Sequence, residues 1–249
     1  QTFVATTATQ SPWDKRLQHG SPPTALLAQV IGSRHPRADM RVARISADFL
    51  GAIPLATMVV TTRVLRPGKR IELLEGVIES DGREVVCARV WRIAVQEAES
   101  VPVAATAADE VPPLPAQTAT PAWLQGWGYG EAFEWRYVFG EARPGPAAVW
   151  ARPRVALIAG EPLQPLDRAL IIADSANGIS GELPMGEWLF VPPSLSVALE
   201  RYPCGDWALL EARTTLARDG VGITASRLAD ENGYFGIGQQ ALLIERRRL

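Results

Sequence analysis

HGSPPTALLAQVIG, residues 19–32, reads as a helix without a polar face. Ser21 is a good N-cap and Pro22 a good first helical residue. Ala25, Leu26, Leu27, Ala28, Val30 and Ile31 then cover nearly every side, and Gly32 offers a stop. A helix apolar all round must be buried on most sides. The segments after it are strand-like: RISADFLGAI, TMVVTTRVLRPG, KRIELLEGVIES and REVVCARVWRIAV, the last two joined by Asp81-Gly82 as a hairpin turn. TFVATTATQSPW, ahead of the helix, is a further strand candidate.

The same order recurs. FEWRYVFGEA is strand-like, and LDRALIIADSANG (166–178) is a second apolar helix, with Pro165 ahead of it and Asn177-Gly178 at its end. PSLSVALERYP, DWALLEARTTLARDG, GITASRLADENG and YFGIGQQALLIERR follow as strands. LRPGKRIELLEGVIESDGREVVCARVWRI lies well beside ERYPCGDWALLEARTTLARDGVGITASRL. A strand, one buried helix and an antiparallel meander, occurring twice, suggest an internal duplication. The expected class is α+β, with two curved antiparallel sheets side by side, each wrapped around one buried helix. Residues 97–121, rich in Ala, Pro, Val and Thr, read as a surface linker between units at 1–96 and 122–249.

Composition narrows the function classes. The chain has 249 residues, a net charge of −2 and 47% hydrophobic content, as in an ordinary globular protein. The charge balance gives no footprint for nucleic acid. No run of about 18 apolar residues is present to span a membrane. With Cys87 and Cys204 the only cysteines, and His19 and His35 the only histidines, a zinc site is not expected. Lone thiols and the lack of a signal-peptide pattern point to a cytoplasmic protein. The first residue is not Met, which leaves open whether residues precede Gln1. No GxSxG elbow, P-loop or GxGxxG motif occurs, and no cofactor is implied.

The order of elements is that of the hotdog fold in its tandem form, the double hotdog. SPWDKRLQHGSPPTALLAQVI resembles the opening of thioesterase-like proteins of the acyl-CoA thioesterase II superfamily, which carry W-D near HGGPPAALL; Ser21 stands for the second Gly. RVLRPGKRIELLEGVIESDGREVVCARV, WARPRVALIAGEPLQPLDRALIIADSANGIS, ERYPCGDWALLEARTTLARDGVGITASRLADENG and GQQALLIERR resemble the same group. The resemblance implies that an Asp on the second helix, a Gln on a late strand and a Thr hydroxyl hold and activate a water that attacks the thioester of an acyl-CoA. Asp174 matches the Asp. Gln240 matches the Gln, with Gln239 as its rival, and alternation lets only one of them face a site. The Thr position falls at or near Pro192, which has no hydroxyl; Ser194, two residues on, and the more distant Ser196 are its substitutes. The resemblance also implies an acyl-CoA or another acyl thioester as partner, and a homodimer or larger assembly.

Each of these residues also has an ordinary reading. Asp174 sits where its own helix ends, and a carboxylate there is disfavoured by about 0.3–1 kcal/mol. It either turns to water or is held there for chemistry. Gln240 suits a polar sheet face, and Ser194 a strand position bonded to backbone. His19 and Gly20 fall in the turn before the first helix, where they could bind substrate; the turn's amides could also stabilise a carbonyl oxygen, although the prolines reduce their number. His19 could instead be a general base paired with Asp174, as in a hydratase or dehydratase. A third reading is a hotdog that binds acyl chains without turning them over.

Overall fold

The computed structural model describes residues 1–96, 110–116, 121–141 and 144–247. The first half contains β1 (Thr2–Val4), α1 (Ser21–Arg34), β2 (Met40–Phe49), β3 (Thr57–Arg66), β4 (Ile71–Ser80) and β5 (Arg83–Ala94). The second contains α2 (Gly128–Glu131), β6 (Phe133–Phe139), β7 (Ala147–Pro153), α3 (Pro165–Ala173), α4 (Ala176–Ile179), β8 (Trp188–Leu199), β9 (Ala208–Leu216), β10 (Val221–Asp230) and β11 (Gly233–Arg246).

Where two sheets were expected, the described residues form one. Its eleven strands among them run β1-β3-β4-β5-β2-β8-β11-β10-β9-β7-β6. The seam is an antiparallel pairing of β2 with β8, from Arg44↔Ala198 to Asp48↔Ser194. Each strand would otherwise leave a row of unpaired amides and carbonyls at an edge, and pairing satisfies both rows. At the middle of the seam the Ser46 and Ser196 hydroxyls lie 3.3 Å apart. Outward from it the order is mirrored: β2, β5, β4, β3, β1 on one side and β8, β11, β10, β9, β7 on the other, with β6 added beyond.

That symmetry corrects two sequence equivalences. FEWRYVF forms β6, but β7 holds the place matching β1. The Asp-Gly turns align β4–β5 with β9–β10, whereas sheet position equates β4–β5 with β10–β11. The opening strand is also shorter than TFVATTATQSPW suggested. The hairpin at 81–82 does form; Asp81 and Gly82 have φ of 52° and 71°, as a type I′ turn requires.

α1 and α3 share one core with the sheet. Ala25, Leu27, Ile31, Ala169, Leu170 and Ala173 are essentially fully buried in the same apolar cluster as Ile45, Leu74, Val90 and Leu210. α1 lies so close to β4 that a Cβ on Gly76 would come within 2.9 Å of Leu27 Cδ2. Gly32 does not stop α1, which runs to Arg34. Its end is held instead by buried Arg92, whose guanidinium donates to Ile31 O (3.0 Å) and His35 O (2.5 Å). A cation there satisfies orphan carbonyls and opposes the negative end of the helix. Most of the expected linker lies outside the described residues. Its stretch 110–116 has no helix or strand, and Val111 and Leu114 cover the outer face of the sheet at Ala148, Trp150 and Leu209.

Candidate active site

Gln164 and Asp167 form a capping box at the start of α3, with Pro165 as its first residue. The helix ends at Ala173, and Asp174 is its C-cap. Gly178 therefore does not end this helix; it lies within the short α4, and its backbone is not left-handed. Asp174 does not turn to water, for its side chain is 5% exposed. It points at the start of α1. Its backbone N–H donates to Ser21 Oγ (3.1 Å), and the Gly20 amide bonds its carboxylate. A charge disfavoured by its own helix thus sits at the positive end of another. Burial is the larger effect and pushes the carboxyl up to about 7; bonds from Gln240 and Gly20 pull the other way.

Gln240 lies on the inner face of β11, opposite Leu195 of β8, and is 3% exposed. Its Nε2 donates to Asp174 Oδ1 (2.7 Å) and lies 3.2 Å from Asp174 O. Its Oε1 accepts from the Asn177 N–H (3.1 Å). Gln239 is exposed on the opposite face. Asn177 was read only as a turn residue. It follows Asp174 by three positions, a spacing that places two residues on one helical side, and its Nδ2 donates to Phe190 O (2.7 Å).

His19 and Gly20 close the site from the first half. A Cβ on Gly20 would lie 2.6 Å from both Asp174 Oδ2 and the Phe49 ring, so the contact requires glycine. His19 Nδ1 is 3.5 Å from Asp174 Oδ2 and accepts the Ser21 N–H at 3.3 Å. Burial drives the imidazole down to about 3, so it is neutral at ordinary pH and the contact is not an ion pair. Accepting at Nδ1 leaves the ring proton on Nε2. The ring stacks on Tyr129 (3.9 Å, 5°), whose hydroxyl donates to Ile171 O (2.5 Å) and lies 2.7 Å from Ser175 Oγ. Nothing in GWGYGEAF signalled that role for Tyr129. The turn's amides are committed: Gly20 to Asp174, Ser21 to His19, and Pro22 and Pro23 have none. The expected carbonyl-oxygen donors are therefore not free in this turn.

Ser194 is not brought to the site. Between Ser194↔Ala241 and Val191↔Leu243, Pro192 and Pro193 together face the single residue Leu242. This bulge shifts the strand's phase by one. Proline fits such a place because no ladder amide is needed. Ser194 consequently pairs with the exposed Ala241 on the outer face, and Ser196 meets Ser46 at the seam. Pro192 itself lines a cleft of about 370 Å³ with Trp13, His19, Gly20, Phe49 and Asp174. Among the described residues no group of three His, Cys, Asp or Glu side chains is placed to hold a metal ion, and no helix is long and apolar enough to cross a membrane.

The fold recurs in solved structures at low identity. A candidate thioesterase II of Thermobifida fusca YX superposes with a TM-score of 0.79 at 15% identity, over 98% of this chain and 92% of that one. A hot dog fold protein of Alicyclobacillus acidocaldarius gives 0.77 at 14%, over 99% and 93%. The acyl-CoA thioesterase II of Mycobacterium marinum gives 0.69 at 16%, over 92% and 90%. A comparison with curated proteins found no match. Residues 9–93 match the model of the acyl-CoA thioesterase N-terminal domain, and residues 102–244 that of the C-terminal domain. Since these two matches take in most of the sequence in the family's own order, the chain belongs to the acyl-CoA thioesterase family.

Proposed function

We propose that the protein hydrolyses acyl-CoA thioesters, with Asp174 as general base. The observation that carries this reading is the buried Asp174–Gln240 contact at the mouth of a cleft, facing the N-terminus of α1. Oδ1 is held by Gln240 and the Gly20 amide also bonds the carboxylate, whose Oδ2 keeps a second lone pair to accept a proton from water. The water oxygen attacks the thioester carbonyl carbon as its proton passes to Asp174. The C–S bond then breaks, the sulfur takes up a proton, and a carboxylic acid and CoA leave. Gln240 acts through Asp174 as a positioning residue, because its Nε2 already serves that side chain and its Oε1 the Asn177 amide. Ser194 has no part in this scheme. His19 and Gly20 form the wall against which substrate lies. A burial-depressed His19 is a poor base, which argues against a hydratase. No metal or covalent intermediate enters the scheme.

The same reading places the two hotdog units at 1–96 and 122–249, joined through 97–121, in a homodimer or larger assembly. Val221, Ile223, Ile237 and Leu243, exposed on β10 and β11, support association; a monomer in sedimentation at micromolar concentration would refute it. Pro192 in the cleft favours a second reading, an acyl-CoA binder without turnover. Release of free CoA from a panel of acyl-CoAs decides between them. Turnover that disappears in Asp174→Asn supports hydrolysis; binding without release supports the binder.

A further inference from the structure

Residues 111–115, Val-Pro-Pro-Leu-Pro, cross the outer face of the second half, on the side of the sheet away from Asp174. Exposure along this stretch has a period of three. Glu110, Pro113 and Ala116 are exposed, while Val111, Pro112, Leu114 and Pro115 are half-buried. A polyproline II helix has three residues per turn, so two aliphatic–proline pairs, Val111-Pro112 and Leu114-Pro115, face the sheet. Two of the carbonyls are read by side chains. Trp150 Nε1 donates to Pro112 O (3.1 Å), and Arg136 Nη1 donates to Pro115 O (3.0 Å). The acceptors are one polyproline turn apart, about 9 Å. Their donors are direct partners across β6 and β7, Arg136↔Trp150.

The surface beneath is shaped to receive such a segment. One row of residues crosses the strands from β6 to β11: Arg136, Trp150, Leu209, Ala229 and Tyr234. Its apolar members form the floor of a trough, with Trp207 packed beside them. Arg136 is fixed from behind. Its Nε and Nη2 donate to Glu134 Oε1 (2.9 and 2.6 Å), and its guanidinium lies 4.5 Å from the centre of the Trp207 ring. Nη1 is thereby left aimed at the passing chain. Among the described residues no backbone–backbone bond ties 110–116 to the sheet. The segment can leave without breaking a ladder, and its departure uncovers an apolar trough with two oriented donors. A tether that only joined the two halves would need none of these features.

We propose that this trough is a binding site for a polyproline II segment of the form aliphatic-Pro-x-aliphatic-Pro, filled in cis by residues 111–115, and that its partner in trans is a proline-rich segment of another protein. Such ligands suit the site for two reasons. Their carbonyls have no internal donors, and their rings restrict the unbound chain, so little freedom is lost on binding. Aromatic-lined grooves read proline-rich segments in this manner. A second copy of this chain is a poorer occupant. Its own segment is already seated, and Pro115 lies six residues before the buried Pro121. So short a tether holds the segment at an effective concentration in roughly the millimolar range. A partner therefore binds in competition with residues 111–115, and its occupancy follows its concentration.

The probe is a synthetic peptide copying residues 110–116, Glu-Val-Pro-Pro-Leu-Pro-Ala. The full chain carrying Val111→Gly and Leu114→Gly loses the seated aliphatic side chains and keeps the trough; calorimetry shows whether it folds. In isothermal titration this loosened chain should bind one equivalent of peptide, about tenfold or more tighter than the wild type, whose own segment competes. Replacing the three peptide prolines by alanine should weaken binding about tenfold. Trp150→Phe in the loosened chain should do the same, the equivalent of one net hydrogen bond. No binding to the loosened chain overturns the proposal. So does equal affinity for the loosened and wild-type chains, which puts the peptide elsewhere. Equal affinity for the alanine peptide reduces the segment to apolar cover and also overturns it. If the loosened chain does not fold, the wild type decides by NMR. The Trp150 indole N–H resonance, identified by its loss in Trp150→Phe, should move when peptide is added in large excess; an unmoved resonance overturns the proposal. A wild-type dimer that dissociates on Val111→Gly and Leu114→Gly would make a second copy the occupant and overturn the choice of partner.

Discussion

At the scale of single residues, Asp174 joins two opposed demands. In the proposed hydrolysis it must be buried beside the thioester, and it must ionise to act as a base. The Asp174→Asn variant keeps the shape and loses the base, so hydrolysis should fall about 10²–10⁴-fold. The activity of the wild type should rise with pH through about 7, where the raised carboxyl ionises; a profile already flat from pH 5 would contradict the assignment. Stability runs the other way. The carboxyl's pKa goes from 3.8 unfolded to about 7 folded, so the folded protein holds its proton more tightly. That contribution is complete below about pH 4 and is lost as pH rises through about 7. At pH 8 the Asn variant should therefore be the more stable, by on the order of 4 kcal/mol in urea unfolding. The positions of Asp174 and Gln240 were legible through the family resemblance together with strand alternation. The direction in which Asp174 faces was not, because it depends on α1, some 150 residues earlier in the chain.

At the scale of elements, the sequence displayed helices better than ladders. Two apolar runs with proline at their starts could hardly be anything but buried helices. β7 escaped notice because AAVWARP is mostly small residues and lacks alternation. The bulge in β8 misled the reading of Ser194, since counting by two assumes an unbroken ladder. Ser194→Ala, on the outer face, should leave hydrolysis unchanged. Pro192→Thr would put a hydroxyl on the cleft side of the bulge and should raise kcat/KM; a rise from Ser194→Thr instead would mean that the phase assigned to β8 is wrong. α1 offers a separate check. Arg92→Met removes the guanidinium that holds its last carbonyls and strips buried Glu72 of a cation 3.6 Å away. The loss should be about 3–5 kcal/mol, measurable by denaturant unfolding.

At the scale of the whole molecule, the two halves share a sheet and a core. Two independent units would have melted separately. Continuous pairing across β2 and β8, with α1 and α3 in one apolar cluster, leaves no boundary at which one half could unfold alone. Calorimetry should show one transition rather than two. Duplication was visible in the sequence as repeated order. Fusion into one sheet was not, because edge pairing depends on backbone groups that every residue carries and no composition marks.

The seam has a consequence for stoichiometry. A twofold through Ser46 and Ser196 makes Ile45 the equivalent of Leu195. Their partners on the next strands, Val90 and Gln240, are then equivalent as well. Duplication thus built two matching corners, and the polar amide occupies only one. The other holds an apolar side chain, with Arg92 two residues further on gripping the end of α1. A chain that looks twofold should therefore take up a single equivalent of a non-hydrolysable acyl-CoA analogue, its second corner having become an anchor.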